Sequence, residues 1–434
     1  MINQNISHPY TGWETAQSQC LHAACGGQRL IPAKLIIKSK GLFMRIVQIN
    51  SVCGSGSTGK ICVAVSELLT KKGIENYILY ASEKSNYHFG RKYMSDIDVK
   101  IQALKSRIFG NYGFNSQRAT KRLLKELKSL KPDIVHLHNL HGHNVHLGML
   151  FSYLKENSIK VFWTFHDCWA FTGYCPYYDL AMCDKWKNKC SECPAANKYS
   201  WFFDRSKYLF EKKKNLFTGL DLTIITPSKW LADQVKQSFL KDCEVMVINN
   251  GIDLSVFNSR ESDFREKYNL QDKFIVLGVA FGWGVRKGLD VFIELSKCLD
   301  ERFQIVLVGT DDKVDKQLPK NIISINRTNN QAELTEIYTA ANVFVNPTRE
   351  EVLGMTNIEA LACGTPVITF KTGGSVECVD SNCGIVVPKN DIDALEKAIR
   401  TVCIDKPFSC EACLAHANQY DQRDKFNEYI SLYM

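Results

Sequence analysis

Residues 348–374 read TREEVLGMTNIEALACGTPVITFKTGG, and the fold follows from how they are parsed. Just before them, residues 342–346 (NVFVN) form a short apolar strand that Pro347 ends, since proline cannot donate to a ladder. Gly354 then opens a helix expected from Met355 to Cys363. The first amides of such a helix have no intrahelical partner and lie at its positive dipole end, so Gly354, Met355 and Thr356 suit a phosphate. Glu351 stands in the loop ahead of the helix, and Glu359 lies about two turns inside it. A carboxylate only accepts hydrogen bonds and grips vicinal hydroxyls well, so one glutamate could hold a sugar and the other a ribose. Two solvated glutamates are the ordinary reading of such a pair. The glycine turn, the following CGTPV and the closing Gly373-Gly374 argue instead for half of an α/β nucleotide site.

Working outward, strand and helix patterns alternate from residue 44 to the end, which predicts a doubly wound α/β protein. One series of strands is expected at 45–49, 77–80, 134–137, 160–165 and 223–226. A second is expected at 274–279, 304–308, 322–325, 343–346, 366–369 and 384–387. A chain of 434 residues can fill two such domains. Hydrophobic content of 45% and charged content of 23% are ordinary for a globular protein, and no apolar run is long enough to cross a bilayer. Residues 1–43 have no sustained periodicity; they are read as a disordered leader, with Met44 as the natural start.

This pattern resembles the E-x7-E signature of family 4 retaining glycosyltransferases, and the resemblance extends through most of residues 44–434. It implies the GT-B fold, in which two Rossmann-like domains face a cleft. The expected division is an acceptor domain at 44–255 with a Cys-rich insertion at 168–194, a donor domain at 256–412, and a C-terminal helix at 413–434 that returns to the first domain. The implied reaction takes a sugar from a nucleotide-diphosphate sugar and needs no cofactor for catalysis. Glu359 would then hold the ribose, Glu351 the sugar hydroxyls, and the amides near Gly354, Met355 and Thr356 the pyrophosphate.

Other motifs fit around this core. FGWGVRKG at 281–288 follows the first strand of the second series and resembles the basic turn that holds the donor diphosphate. Negative charge builds on the β-phosphate as the sugar leaves, and Lys287 and Arg286 would stabilise it. Many relatives carry a Gly-Arg pair shortly before the lysine, where this chain has Phe281 and Gly282. Gly54, Gly56 and Gly59 form a glycine-rich loop after the first strand, which the resemblance implies binds the donor, in the interdomain cleft beside its phosphates and the acceptor. With Lys60 it nearly matches a P-loop, but Ile61 offers no hydroxyl for Mg²⁺. A P-loop-like nucleotidase is therefore the rival reading, together with a non-catalytic glycan-binding protein and a sugar-phosphate-forming transferase of the same fold. His166 ends a first-domain strand, where side chains face the ligand crevice, and matches the family histidine that touches the transferred sugar. His136, His138, His141, His143 and His146 are read as loop and helix-start residues.

Of the 17 cysteines, Cys62, Cys298 and Cys363 are expected to be buried thiols, which fits a reducing cytoplasmic setting. Cys175, Cys183, Cys190 and Cys193 are spaced C-x7-C-x6-C-x2-C, which could hold a structural zinc, remain as free thiols, or pair as disulfides. The insertion resembles that of colanic-acid-type exopolysaccharide enzymes. The net charge of +8 is partly concentrated in a basic amphipathic helix at 118–131, which could contact an anionic membrane at its inner face and receive a lipid-linked or other glycan acceptor. Nothing near it resembles a nucleic-acid motif. Asp96-Ile97-Asp98 and Asp391-Ile392-Asp393 are read as helix caps or surface charges.

Overall fold

The computed structural model describes residues 44–434 apart from Gly142, so the expectations for residues 1–43 lie outside the described residues. Apolar, β-branched runs assemble into two parallel sheets. The first contains β1 (Arg45–Asn50), β2 (Glu75–Tyr80), β3 (Gly90–Lys92), β4 (Ile134–Leu137), β5 (Lys160–Thr164), β6 (Leu222–Thr226) and β7 (Glu244–Val247), in the order β3-β2-β1-β4-β5-β6-β7. The second contains β8 (Phe274–Val279), β9 (Phe303–Val308), β10 (Ile322–Ile325), β11 (Val343–Asn346), β12 (Val367–Phe370) and β13 (Gly384–Val387), in the order β10-β9-β8-β11-β12-β13. Strands buried on both faces need helices above and below, and the sequence supplies one between most strands. Each sheet reverses its strand order once, between β1 and β4 and between β8 and β11. Ligand crevices form beyond the carboxyl ends of strands at such reversals. The loops after β1, β4, β8 and β11 carry most of the candidate residues.

Two strands were not anticipated. β3 is only Gly-Arg-Lys, and β7 (EVMV) is half-exposed, so neither shows the apolar run of a central strand. Both lie at an edge of the first sheet.

The chain crosses to the second domain beside its own return. The Ile252 amide donates to the Tyr420 carbonyl at 2.8 Å, and the Gln422 amide donates to the Ile252 carbonyl at 2.9 Å. A Cβ on Gly251 would come within 2.3 Å of Gln422 Cα, so only glycine allows this approach. Helix Gln422–Tyr433 then buries Phe426, Tyr429, Ile430 and Tyr433 against Ile46, Ile61, Val65 and Leu69 of the first domain.

Three expectations need correction. The returning segment does not start at residue 413, because Cys413, Ala417 and Tyr420 are buried in the second-domain core with helix Cys410–Ala417. Ile252 also packs in that core, so the outward crossing precedes residue 256. Cys298 is exposed at the end of helix Leu289–Cys298, whereas Cys62 and Cys363 are buried.

Candidate active site

The second domain contributes a pair of opposite charges. Gly354 adopts the left-handed conformation at φ 86° and begins helix Met355–Ala362, whose first amides receive no side-chain cap. The 373–374 loop lies directly on the backbone ahead of that helix. A Cβ on Gly373 or Gly374 would stand 1.8 Å from the Glu351 carbonyl oxygen or 1.9 Å from that of Val352. Lys287 Nζ lies 2.7 Å from Glu351 Oε2, with both side chains mostly shielded. The turn carrying Lys287 is fixed to the same loop. The Arg349 amide donates to the Arg286 carbonyl at 2.9 Å, and the Arg349 guanidinium makes a forked ion pair with Asp290 at 2.8 and 2.7 Å.

Glu359 lies deeper along the helix. Burial pushes its carboxyl up to about 7, and the Tyr338 hydroxyl and Lys60 partly oppose this. Tyr338 donates to Glu359 Oε2 at 3.1 Å. A cavity of about 770 Å³ opens beyond the ends of β8, β9 and β10 and reaches Thr356; Gly309, Asn326 and Arg327 line it.

The first domain supplies the facing wall. Gly54 (φ 76°) and Gly56 (φ 59°) shape the loop after β1, and the Gly54 amide donates to the Gly59 carbonyl at 3.1 Å. Helix Gly56–Lys71 starts there without a side-chain cap. Lys60 acts on Glu359 across the cleft, while Ile61 is buried, so this loop does not reproduce a nucleotidase P-loop.

Of the five histidines read as loop and helix-start residues, His138, His141 and His143 lie in the loop and His146 caps the next helix, whereas His136 does not fit that reading. His136 lies within β4 and His138 just after it, both buried. The Gln48 amide nitrogen donates to the Cys62 carbonyl at 2.9 Å, which leaves Gln48 Oε1 to accept from His138 Nε2 at 3.2 Å. His138 Nδ1 must then accept, and His166 Nε2 donates to it at 3.3 Å. The remaining nitrogen of His166, Nδ1, is therefore an acceptor. Burial holds His166 down to about 4, so it stays neutral near pH 7. Beside it, His141 Nε2 lies 2.7 Å from Asp167 Oδ2. Burial opposes charge on both groups, but their mutual attraction wins, raising His141 and lowering Asp167. His146 accepts from the Met149 amide at the start of helix Leu147–Glu156.

Contacts between the domains were not visible in the sequence. Glu350 accepts the Leu180 amide at 2.9 Å from the Cys-rich insertion. Arg286 lies 5.6 Å from the centre of the Tyr177 ring. Glu377 accepts the Lys229 and Trp230 amides at 2.8 and 2.6 Å, which caps helix Lys229–Lys236 from the opposite domain. The structure thus joins Glu351 and Lys287 directly, turns Arg286 towards Tyr177, and carries Met355, Thr356 and Glu359 on the helix that Gly354 opens. His166 stands on the other wall with Asp167. Cys175, Cys183, Cys190 and Cys193 line a separate small cavity. Asp391 caps helix Ile392–Arg400 by accepting from Ala394, while Asp96 and Asp98 pair with Lys92 and Arg122.

Two family models match the chain: one described as Glycosyltransferase Family 4 over residues 59–256, the other as Glycosyl transferases group 1 over residues 272–405. The chain is similar to the putative colanic acid biosynthesis glycosyl transferase WcaC of Escherichia coli (strain K12), at 22% identity over 417 residues, covering 90% of this chain and 99% of that protein. It is also similar to the capsular polysaccharide biosynthesis glycosyltransferase CapM of Staphylococcus aureus, at 27% identity over 244 residues, covering 51% of this chain and 62% of CapM. Solved structures of the same fold include Anabaena HepE in complex with UDP and glucose, with a TM-score of 0.64, 14% identity and coverage of 90% and 99%. Sucrose-phosphate synthase from Thermosynechococcus elongatus superimposes with a TM-score of 0.67, at 18% identity and coverage of 90% and 98%.

Proposed function

We propose that this chain, which belongs to glycosyltransferase family 4 and is a hexosyltransferase-type enzyme with the GT-B fold, transfers a sugar from a nucleotide-diphosphate donor to a hydroxyl of a glycan or lipid-linked glycan. In this reading the anomeric configuration is retained and the product belongs to an exopolysaccharide or other cell-surface polysaccharide. The observation that carries it is the 2.7 Å Lys287–Glu351 pair beside the uncapped helix that bears Glu359. Lys287, Arg286 and the amides of Met355 and Thr356 would hold the diphosphate, Glu351 the sugar, and Glu359 the ribose. The base would enter the 770 Å³ cavity near Gly309 and Arg327.

The chemical step would be a front-face displacement. The bond between the anomeric carbon and the β-phosphate oxygen breaks, and the acceptor oxygen bonds to the same face. The acceptor proton passes to the leaving phosphate, whose charge Lys287 stabilises. His166 would accept a hydrogen bond from a donor hydroxyl through Nδ1. No catalytic metal is invoked. A panel of UDP-, GDP- and ADP-sugars, scored for thermal stabilisation, release of nucleoside diphosphate and anomeric configuration of the product, tests this reading. An inverted product would refute retention.

We also propose peripheral contact with an anionic membrane, on a different helix from the one the sequence suggested. Helix Gln117–Leu130 buries Ala119, Leu123, Leu127 and Leu130 in the first-domain core, so its apolar face is unavailable to lipid. Helix Asp96–Phe109 instead exposes Ile97 (70%), Ile101, Leu104 and Phe109, with Lys100 and Lys105 on the same face. The Trp201 amide donates to the Arg107 carbonyl at 2.7 Å, which brings exposed Trp201 and Phe202 beside this helix. Aromatic and aliphatic side chains among lysines suit the boundary of an anionic bilayer. No helix among the described residues is long and apolar enough to cross a membrane. We place the enzyme in the cytoplasm, at the inner face of the plasma membrane.

A further inference from the structure

The Cys-rich insertion is built as a closed unit with one unexplained centre. Cys175, Cys183, Cys190 and Cys193 all line a cavity of about 20 Å³, enclosed by Thr172, Tyr174, Tyr178, Trp186 and Ser206. All four are free thiols, although Cys175 and Cys193 share a hydrogen bond. A volume of this size holds one small ion or water and no organic group.

Two buried donors in residues that line this centre lack an acceptor, which thiolate sulfurs there would supply. Trp186 Nε1 and Ser206 Oγ are both buried without a hydrogen-bond partner, in residues that line the same cavity. An orphaned buried donor costs about 1–3 kcal/mol, so such groups are normally satisfied. Backbone amides already point at the sulfurs. The Gly173 amide donates to Cys190 Sγ at 3.3 Å, and the Ala195 amide donates to Cys193, two residues before it. Donors directed at sulfur stabilise thiolates, and thiolates bind soft metal ions.

The charge balance agrees. Lys213 is fully buried and donates to the carbonyls of Trp169, Thr172 and Gly173 at 2.7, 3.1 and 3.4 Å. Burial opposes the charge on its ammonium, while Cys190, Asp167 and Cys175 favour it. A divalent ion held by four thiolates is net negative and would add to the counter-charge that Asp167 already supplies.

We propose that Cys175, Cys183, Cys190 and Cys193 bind one zinc ion that staples the insertion. Four thiolates suit tetrahedral Zn²⁺, and the closed surroundings leave no position for substrate. Among the described residues, the group of three whose ligand atoms lie within 4.8 Å of one another is Asp380, Cys383 and His416. That group is satisfied internally: His416 Nδ1 meets Asp380 Oδ2 at 3.0 Å, and the Asp380 amide donates to Cys383 Sγ. No three of the four cysteine sulfurs lie within 4.8 Å of one another, so zinc binding requires the four to draw together. The consequence reaches the cleft, since the same insertion presents Leu180 to Glu350 and Tyr177 to Arg286.

The test uses the full chain, purified without a metal-affinity step, and elemental analysis by mass spectrometry. The expected result is about one zinc per chain. Titration of the wild-type thiols with a mercurial should release that zinc to a chromogenic chelator, which keeps the test valid if variants fail to fold. Cys190→Ser and Cys193→Ser should each lose the metal, while Cys298→Ser, at an exposed distant site, should keep it. Less than about 0.2 zinc per chain would overturn the proposal, as would iron in its place, or a disulfide among the four found by intact mass. None of these readouts depends on glycosyl transfer, so a failed donor assay leaves the zinc result interpretable.

Discussion

Lys287 and Glu351 come from loops 64 residues apart in sequence and meet at 2.7 Å at the point where the second sheet reverses its strand order. Each would have its own task with a bound donor, the lysine on the phosphate and the glutamate on the sugar. Their pairing keeps two mostly shielded charges neutralised in the same place. Donor binding would exchange this contact for one to phosphate and one to hydroxyl.

Lys287→Ala should therefore affect turnover more than folding. Its kcat should fall about 10²–10³-fold, as for loss of a preorganised charge at a leaving group. Removing one member of a mostly shielded pair should cost about 1–2 kcal/mol. Steady-state kinetics and urea denaturation separate the two effects. A variant with wild-type kcat would remove Lys287 from the chemical step.

Glu359→Gln should weaken the donor and change the pH dependence of stability. The native carboxyl sits at about 7, above its unfolded value near 4.5. A raised pKa means its favourable contribution is present below the unfolded value and is lost as pH rises through 7. The glutamine variant should thus gain about 1–3 kcal/mol over wild type at pH 8 and little at pH 5. Thermal melts at both pH values check this. Equal shifts at both would show that Glu359 is not held protonated by burial.

His166 should keep its acceptor nitrogen well into the acid range, because burial lowers its pKa to about 4. His136 and His138 are lowered by the same cause. Depressed histidine values give stability that is present above about 6.5 and lost as pH falls towards the folded values. Wild-type Tm should fall between pH 6.5 and 4, and His166→Asn should flatten part of that slope. Because Asn Oδ1 stands near the position of Nδ1, His166→Asn should also retain more activity than His166→Ala. The reverse order would show that Nδ1 is not the acceptor used.

Ile97→Asp combined with Phe202→Asp should weaken sedimentation with anionic vesicles at least about tenfold, while turnover on a soluble acceptor stays unchanged. Lys121→Glu on the basic helix should have a smaller effect, of the size of a two-unit change in surface charge. Unchanged sedimentation of the double variant would remove this face as the membrane contact.

Much of the fold was legible because a buried parallel strand advertises itself as an apolar β-branched run. The central strands β4, β8 and β11 lie where Ile134–Leu137, Phe274–Val279 and Val343–Asn346 predicted them. The edge strands β3 and β7 escaped because half-exposed strands need no such run. Local chemistry was legible too: Gly354 before a helix, and the lysine-glycine turn at 287–288. Long-range pairings were not. Nothing local marks Glu350 as the partner of Leu180, or Glu377 as the cap of a helix 147 residues earlier. His136 was misassigned for a related reason. His136 reads as polar, and only its bonds to Thr164 and Tyr433 explain why a central strand tolerates it.

The central claim is that the cleft between the two sheets holds a nucleotide-diphosphate sugar through Lys287, Glu351 and Glu359. Calorimetric titration of the wild-type chain with UDP-, GDP- and ADP-sugars tests it most directly. At least one should bind with a Kd below about 100 μM, and Glu359→Gln and Lys287→Ala should each weaken it about tenfold or more, roughly 1.4 kcal/mol. Failure of every nucleotide sugar to bind at about 1 mM would contradict the account.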